Sequence, residues 1–254
     1  MKIYRFITAL VWFCCACAAL AHESSHLTIV TEEFPPYNYA QDGEIRGLSV
    51  DVVKEMARRV GSVEYDIQLY PWLRAYSLAK DKPNTAIFSI GRNHSRESLF
   101  QWVGVIAPAR FYLFSRPERD ELKLDSLEQA KRYRVGTFPK TVREQYLLEK
   151  GFLMDKNLIS IYDYGRLFDL LKLGRIDFWA MNELRAHDVV LKKGLDPSKE
   201  LSRAFFLKEL SPEGYYLAFS KQTDPALVER FADALKGMHD DGSYQQIVQR
   251  YLGQ

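Results

Sequence analysis

The stretch 27-LTIVTEEFPPYN-38, together with 49-SVDVVKEMARRVG-61, carries the pattern that decides the fold. Leu27–Val30 is a short apolar run typical of a buried strand, and Pro35-Pro36 prevents a strand or a helix from continuing through the loop behind it. Gly61 ends a helix whose apolar residues recur at helical spacing, namely Val52, Val53, Met56 and Val60. The pattern predicts a strand, a loop and a helix, which is the repeating unit of an α/β protein with largely parallel sheets.

Helix–strand units occur twice more along the chain. A helix precedes the strand predicted over 85–88, another precedes the strand predicted over 176–181, and each strand ends at a polar residue, Ser89 or Asn182. Because ligands bind at the carboxyl ends of strands in open α/β sheets, the two units predict two lobes that share one cleft. Two helices close the chain, and the first begins at Asp224-Pro225.

The first 21 residues have the organisation of a secretory signal peptide. Lys2 and Arg5 precede an apolar run, and Ala19-Leu20-Ala21 is a cleavage signal. All three cysteines lie in this segment, so we expect a periplasmic mature chain without disulfides. The alternatives are a lipoprotein modified at Cys17 and an uncleaved anchor, for which the apolar run is short.

The charge balance excludes several classes of partner. Of the 35 basic residues, Lys2 and Arg5 belong to the signal peptide, which leaves 33 basic residues against 33 acidic ones. Such a chain has no electrostatic reason to coat nucleic acid or an anionic membrane, and we expect no stable membrane insertion after cleavage. His22-Glu23-Ser24-Ser25-His26 matches the zinc-protease pattern, but that pattern requires a helix, and this stretch begins where the signal peptide ends. We therefore predict no metal and no cofactor.

Two loops carry candidate anion-binding groups. The first follows a predicted strand and contains Arg92 and Arg96, and either planar guanidinium can hold a carboxylate. Position alone does not choose between them, and a surface ion pair with Glu97 is the alternative for Arg96. In the second loop, Thr141 and Glu144 form a capping-box pattern, which predicts a helix whose first amides attract an anion.

Aromatic side chains are abundant near these loops. Ligand sites are commonly concave, with aromatic walls around a few polar groups. Phe34 and Trp72 lie in a loop or at a helix start beside strand ends, which makes them candidates for the wall of a pocket. Tyr76 and Trp102 are expected in the core.

Six segments follow one another in a characteristic order along nearly the whole mature chain: Glu32–Tyr37, Gly47–Val53, Ile87–Arg96, Arg134–Thr137, Gly174–Asp177 and Asp241–Tyr244. In order and spacing they resemble the family 3 extracellular solute-binding proteins, the polar-amino-acid-binding components of ABC transporters. The resemblance implies a type II periplasmic-binding fold, in which two doubly wound α/β lobes are joined by a hinge with two crossovers. It also implies that closure of the lobes traps a ligand.

The resemblance gives domain boundaries and partners as well. The signal peptide occupies residues 1–21, the first lobe 22–112 and 214–254, and the second lobe 113–213. The expected ligand is a small polar molecule, either an amino acid or a related carboxylate. The expected partner is a membrane ABC permease, and we expect a monomer without catalytic residues.

Site roles in the first lobe follow from the resemblance one position at a time. Arg96 falls on the arginine that grips the ligand α-carboxylate. Ser89 and Gly91 fall where the same loop offers a hydroxyl or backbone groups. Phe34 falls on the aromatic residue that stacks on the ligand, with Trp72 across from it.

The second lobe supplies one match and one departure. Thr141 and the Val142 amide fall on the second carboxylate contact. The acid that pairs with the ligand ammonium in the family falls on Asn182, whose amide accepts a hydrogen bond but does not neutralise a charge. Glu183 is adjacent, but neighbouring residues on a strand face opposite ways.

Two other functions stay open. A sensory module of the same fold would feed a membrane receptor. An enzyme on this fold would resemble the cyclohexadienyl dehydratases, in which a pocket carboxylic acid supplies a proton. Glu183, Glu32 or Glu33 would then serve as the acid, and turnover of a candidate substrate would support the enzyme hypothesis.

Overall fold

The computed structural model describes residues 26–210 and 214–252, so the predicted signal peptide over 1–21 and most of the zinc-protease pattern lie outside the described residues. In chain order the strands are β1 (Leu27–Thr31), β2 (Tyr39–Gln41), β3 (Glu44–Arg46), β4 (Tyr65–Leu69), β5 (Thr85–Ile90), β6 (Phe100–Ala107), β7 (Phe111–Ser115), β8 (Val135–Thr137), β9 (Leu158–Ser160), β10 (Phe178–Asn182), β11 (Ser202–Phe206) and β12 (Tyr215–Ser220). The helices are α1 (Leu48–Val60), α2 (Trp72–Asp81), α3 (His94–Glu97), α4 (Leu127–Ala130), α5 (Val142–Glu149), α6 (Tyr164–Lys172), α7 (Glu183–Lys192), α8 (Pro197–Glu200), α9 (Pro225–Asp240) and α10 (Ser243–Leu252). Within these ranges, none of the helices has the length and apolar character needed to span a membrane.

Two five-stranded sheets form two lobes, with strand orders β4-β1-β5-β12-β6 and β11-β7-β10-β8-β9. Read from β4 and from β9, both sheets place their strands in the same order, and the strand that arrives from the other lobe is fourth in line. The chain crosses between the sheets twice, once between Ala107 and Phe111 and once between Phe206 and Tyr215. This internal repeat confirms the two-lobed α/β architecture expected from the paired helix–strand units.

The sheets are mixed rather than largely parallel, which corrects the sequence-based expectation. In the first sheet β12 runs antiparallel to β5 and β6, and in the second β7 runs antiparallel to β10 and β11. These two strands enter their lobe from the other one, so they begin at the edge of the sheet where their neighbours end. Apolar periodicity reports burial but not strand direction, and the sequence pattern therefore missed them.

Helices cover both faces of the first sheet. Leu27 and Ile29 of β1 belong to the core that packs under α1, α9 and α10, whereas Val30 packs with Ala75 and Ala79 of α2. Strands buried on both faces have continuous apolar sequences, which is what made β1 recognisable.

The ends of the helices are fixed by side-chain caps. Asp224 accepts a hydrogen bond from the Ala226 amide at 3.0 Å and so begins α9, as predicted. In the second lobe Asp163 accepts a hydrogen bond from the Arg166 amide at 2.9 Å and begins α6. The buried face of α6 packs against β10, and this packing holds the carboxyl end of β10 at the junction of the lobes.

Candidate ligand-binding cleft

A small cavity of about 20 Å³ lies between the two lobes. It is lined by residues of both lobes: Glu32, Phe34, Trp72, Ser89, Gly91, Arg96, Thr141, Val142, Arg143 and Tyr215. Most of the first-lobe residues lie at or just beyond the carboxyl ends of β1 and β5, Trp72 begins α2 and Tyr215 begins β12, while the second-lobe residues lie at the start of α5. A space of this size holds roughly one water molecule, so the lobes are closed on each other.

Seven of the eight residues predicted to bind a ligand line this cavity: Phe34, Trp72, Ser89, Gly91, Arg96, Thr141 and Val142. Asn182, the eighth, does not line it. Their contacts with a ligand stay predictions, but the fold brings the seven together from two lobes.

Arg96 is buried at the junction of the lobes, with 1% of its surface exposed. Asn93 accepts a hydrogen bond from the Arg96 amide at 3.1 Å and so fixes the short helix α3. The guanidinium donates to the Gly91 carbonyl and to the Lys140 carbonyl, each at 2.9 Å, while Nε has no partner. Burial lowers the pKa of Arg96 to about 10, so the side chain stays charged at neutral pH. Among the described residues no carboxylate lies within 4.0 Å of it.

The Lys140 carbonyl joins the lobes. Besides Arg96, it accepts a hydrogen bond from the Trp72 indole Nε1 at 3.0 Å. Lys140 has a φ of 58°, which turns the backbone sharply just before α5. A further hydrogen bond joins the lobes: the Asn93 side-chain Nδ2 donates to the Gln145 side-chain oxygen at 2.8 Å. The closed arrangement is therefore specified by directional bonds as well as by apolar contact.

Ser89 is held at the base of the cavity by a chain of buried side chains. Its hydroxyl donates to the Asn38 side-chain oxygen at 2.5 Å, and the Asn38 amide donates to Thr31 Oγ1 at 2.9 Å. Ser89 has a φ of 58°, a left-handed conformation at the end of β5. This network fixes the course of the loop that leads to Arg96.

The start of α5 shows the predicted cap. Thr141 Oγ1 accepts a hydrogen bond from the Glu144 amide at 3.4 Å and donates to the Phe138 carbonyl at 2.8 Å. The Glu144 carboxylate accepts a hydrogen bond from the Lys140 amide at 2.7 Å. The cap leaves the amides of Val142 and the residue after it without intrahelical partners, and both residues line the cavity.

Arg143 is a second buried guanidinium in this cavity, and the sequence reasoning missed it. It is 2% exposed, its Nη2 donates to the Tyr164 hydroxyl at 3.4 Å, and its Nε has no partner. The guanidinium carbon lies 5.9 Å from the centre of the Phe111 ring. All of these neighbours are neutral groups.

Glu32 is the acidic residue that lines the cavity. Part of the residue is exposed, but burial of its carboxyl group raises its pKa to about 7, against the opposing effects of Arg143, Arg185 and Arg96. The carboxyl group therefore titrates near neutral pH in the closed form.

Closure of the ligand-free protein is expected to depend on pH through Glu32. The pKa of about 7 in the closed form exceeds the ordinary value of 4.5, so the closed form binds more protons between these pH values. Closure is more favourable by about 3 kcal/mol below pH 4.5 than above pH 7, and this advantage is lost as the pH rises through 7. Small-angle X-ray scattering should show a more compact wild type at about pH 5.5 than at about pH 8. Glu32→Gln should be insensitive to pH, and equal radii for the wild type at both pH values would contradict the expectation.

Asn182 caps a helix instead of facing the cavity. It is fully buried, and its side-chain oxygen accepts hydrogen bonds from the Arg185 amide at 2.9 Å and the Tyr37 hydroxyl at 3.4 Å. Its side-chain amide donates to the Tyr215 hydroxyl at 2.7 Å. These bonds join α7 of the second lobe to first-lobe residues. They also occupy both ends of the amide that was predicted to meet a ligand ammonium.

Asn182→Ala is expected to lower the free energy of unfolding by about 2–4 kcal/mol, because it removes a helix cap and leaves two buried hydroxyls with one partner fewer. The matched control is Asp163→Ala, which removes only the exposed cap of α6 and should cost about 1 kcal/mol. Urea unfolding of both variants measures the difference. Equal costs would show that the buried network around Asn182 contributes nothing beyond its cap.

Glu183, considered as a substitute acid, is held elsewhere. Its carboxylate pairs with Arg110 at 2.6 Å and accepts a hydrogen bond from Arg203 Nε at 2.6 Å. The residue is 5% exposed and does not line the cavity. Its charge is neutralised by these two arginines.

A larger chamber of about 650 Å³ opens beside the small cavity. Both lobes line it: Glu32, Glu33, Leu69, Tyr70, Pro71, Trp72, Leu73, Phe138, Tyr162, Asp163 and Tyr164. Glu32 and Trp72 border both spaces. The small cavity therefore adjoins a larger space whose wall is largely aromatic.

Comparison with known proteins fits this geometry. Residues 27–254 match the sequence profile of the bacterial extracellular solute-binding proteins, family 3. The chain belongs to this family. The match covers both lobes and confirms the resemblance found in the sequence.

Individual relatives of this family 3 protein are distant in sequence. The histidine-binding periplasmic protein of Escherichia coli K12 is 23% identical, over 99% of this chain and 96% of the relative. Among solved structures, an ancestral arginine-binding protein bound to arginine superimposes with a TM-score of 0.73 at 21% identity, covering 89% of this chain and 97% of that one. A histidine kinase sensor domain with similarity to periplasmic binding proteins gives 0.77 at 19% identity, covering 90% and 96%. These structures establish the two-lobed fold.

The family 3 protein has three site features that the sequence reasoning did not single out: the Arg143 side chain, the Lys140 carbonyl and the Tyr215 ring. The position of Arg143 in the sequence could have indicated a role in the site, because it directly follows the capping residue Thr141 and the first helical residue Val142. No sequence feature indicated the role of the Lys140 carbonyl, because residue type does not predict which backbone carbonyls accept hydrogen bonds from another lobe.

Proposed function

We propose that this protein is a periplasmic solute-binding protein that captures a small ligand bearing a carboxylate by closing its lobes, and delivers it to an ABC permease. Arg96 carries the proposal: it is a buried guanidinium at the junction of the lobes, with two carbonyl partners, no carboxylate within 4.0 Å in the described part of the chain, and a free Nε. A ligand carboxylate would supply the missing anion through a planar, bidentate contact. Relatives named for binding histidine and arginine support an amino acid or a related carboxylate as the ligand.

The proposal includes the division of the chain into lobes, with 22–112 and 214–254 in the first and 113–213 in the second. The two sheets support a division into two lobes, and the pairing of β7 within the second sheet from Phe111 onward favours a boundary between Ala107 and Phe111 over one at 112. Rotation about the two crossings would open the cavity to a ligand.

Thermal unfolding of residues 22–254 against amino acids, small carboxylates, polyamines and sugars tests the proposal. A ligand at about 100 times its Kd adds roughly 2.7 kcal/mol, which raises Tm by roughly 5–10 °C for a chain of this size. A shift that is produced by carboxylates and lost in Arg96→Gln supports the proposal. The absence of a shift with every carboxylate in the panel would refute it.

A sensory role is the second candidate, favoured by the similarity to the histidine kinase sensor domain. Both roles use the same cleft and differ in the membrane partner that meets the closed protein. Ligand-dependent capture of a permease from solubilised inner membranes supports transport, whereas capture of a receptor supports sensing.

We propose further that the protein is a monomer and not an enzyme. Its membership of a binding-protein family supports the absence of catalysis, as does the pairing of the Glu183 carboxylate with Arg110 and Arg203. Incubation with cyclohexadienyl acids should leave these compounds unchanged, whereas turnover would support the dehydratase hypothesis.

A further inference from the structure

Two buried guanidiniums, one from each lobe, line the cavity between the lobes. Arg96 reaches it from α3, the short helix after β5, and Arg143 from the start of α5. Each is at least 98% buried, and in each the Nε atom lacks a hydrogen-bond partner. Across residues 26–210 and 214–252 neither guanidinium has a carboxylate within 4.0 Å. Leaving a buried charge without an opposite charge is costly, so the site is built for anions that a ligand brings.

The neighbouring charges do not supply these anions. Arg185 is paired with Asp188 at 2.6 Å, and Glu183 is paired with Arg110 at 2.6 Å. Of the residues that line the cavity, Glu32 alone is acidic, and its carboxylate forms no ion pair within 4.0 Å in the described part of the chain. The lining thus carries two positive charges and at most one negative charge.

A zwitterionic amino acid does not balance this lining. Its one carboxylate satisfies one guanidinium, and its ammonium adds a positive charge to a cavity that already has an excess. The other guanidinium would be left buried without an anion. A ligand with two carboxylates satisfies both arginines, and if it also carries an ammonium, Glu32 is the acid within the cavity that can face it, because the amide of Asn182 is occupied by Tyr215 and Arg185.

We infer that Arg143 is a second anion-binding residue, and that the ligand is a small dicarboxylate, with or without an amino group, whose two acidic groups bind Arg96 and Arg143 from opposite lobes. This inference rests on the proposed function and names its class of ligand. It also gives closure a driving force, because each end of the ligand is held by a different lobe.

Isothermal titration of the mature chain with isosteric acid–amide pairs tests the inference. The pairs are L-glutamate with L-glutamine and L-aspartate with L-asparagine, and succinate serves as a diacid without an amino group. In the wild type the acid of a pair should bind at least about tenfold more tightly than its amide, since the amide leaves one arginine unpaired. In Arg143→Gln this preference should disappear through weaker binding of the acid, while affinity for the amide changes by less than about threefold.

Two further variants make the test decisive. Arg143→Lys keeps the charge and should keep a preference for the acids, which guards against a merely structural loss in Arg143→Gln. Lys150→Gln removes a positive charge from the exposed end of the same helix, where Lys150 pairs with Glu209, and should leave the acid–amide preference unchanged. Unfolding curves establish that each variant is folded.

The outcomes separate the two claims. Arg96-dependent binding of neutral or basic amino acids with equal or higher affinity than the acids overturns the inference and leaves the proposed function standing. Equal weakening of acid and amide in Arg143→Gln also overturns it, because Arg143 would then act on structure alone. If no carboxylate of any kind binds, the proposed function fails, and the inference fails with it.

Discussion

Arg96→Gln is expected to weaken the binding of every carboxylate ligand by about 100-fold or more, since breaking a buried charge pair costs roughly 2–5 kcal/mol. The substitution removes the charge and the planar fork that a carboxylate requires. It also removes the two bonds, each 2.9 Å long, that Arg96 makes to the Gly91 and Lys140 carbonyls on opposite sides of the cavity. The variant should therefore lose both its affinity for the ligand and its ability to close the lobes. Isothermal titration measures the affinity, and scattering with saturating ligand measures the closure.

Arg92→Gln is the matched control for this variant. Arg92 lies in the same loop, but it is partly exposed and pairs with Glu97 at 2.6 Å. Removing an exposed pair of this kind changes stability by about 1 kcal/mol or less, and affinity should stay within about threefold of wild type. A large loss of affinity in Arg92→Gln, with normal affinity in Arg96→Gln, would show that Arg92 and not Arg96 binds the carboxylate. The ligand would then lie at a different position.

The fold could be predicted because central strands such as β1 and β10 are buried on both faces. Leu27–Val30 and the strand ending at Asn182 are continuous apolar runs, and helix periodicity follows each of them. Strand direction left no such trace, so β7 and β12 were not recognised as the antiparallel strands that cross between lobes. The number of lobes was therefore accessible to pattern reasoning, and the mixed topology of their sheets was not.

The sequence predicted those site residues whose type marks them as lying at the end of a strand or the start of a helix. Arg96 and Thr141 lie at the ends of recognisable elements, and both line the cavity. Asn182 also ends a strand, but it became a helix cap because its side chain turns back toward the Arg185 amide. Arg143 is one residue beyond the predicted pair at the start of α5, and only the packing of α5 against the first lobe shows that it is buried and not solvated.

Gly91→Ala is expected to weaken ligand binding by about 30-fold or more, because it places a wedge between the lobes. A Cβ at Gly91 would lie 2.6 Å from Val142 Cγ1 and 2.9 Å from Val142 Cβ, where carbon atoms prefer separations of about 3.5–4.0 Å. Val142 is buried and β-branched at the first position of α5, so it has little freedom to move away. The lobes must part by about 1 Å to relieve the contact, and that separation lengthens the bond from Arg96 to the Lys140 carbonyl of the other lobe.

The effect should be confined to the closed form. Gly91 is outside the left-handed region, so alanine is allowed by the local backbone, and the nearest atoms to its added Cβ all belong to Val142 in the other lobe. Ligand-free Gly91→Ala should therefore unfold within about 1 kcal/mol of wild type, and scattering with saturating ligand should show the radius of the open protein. The double variant Gly91→Ala/Val142→Gly removes every atom in the clash and should recover most of the affinity. Full closure and affinity in the single variant would mean that the lobes meet along a different surface from this one, and the arginine pair would then have to act in another geometry.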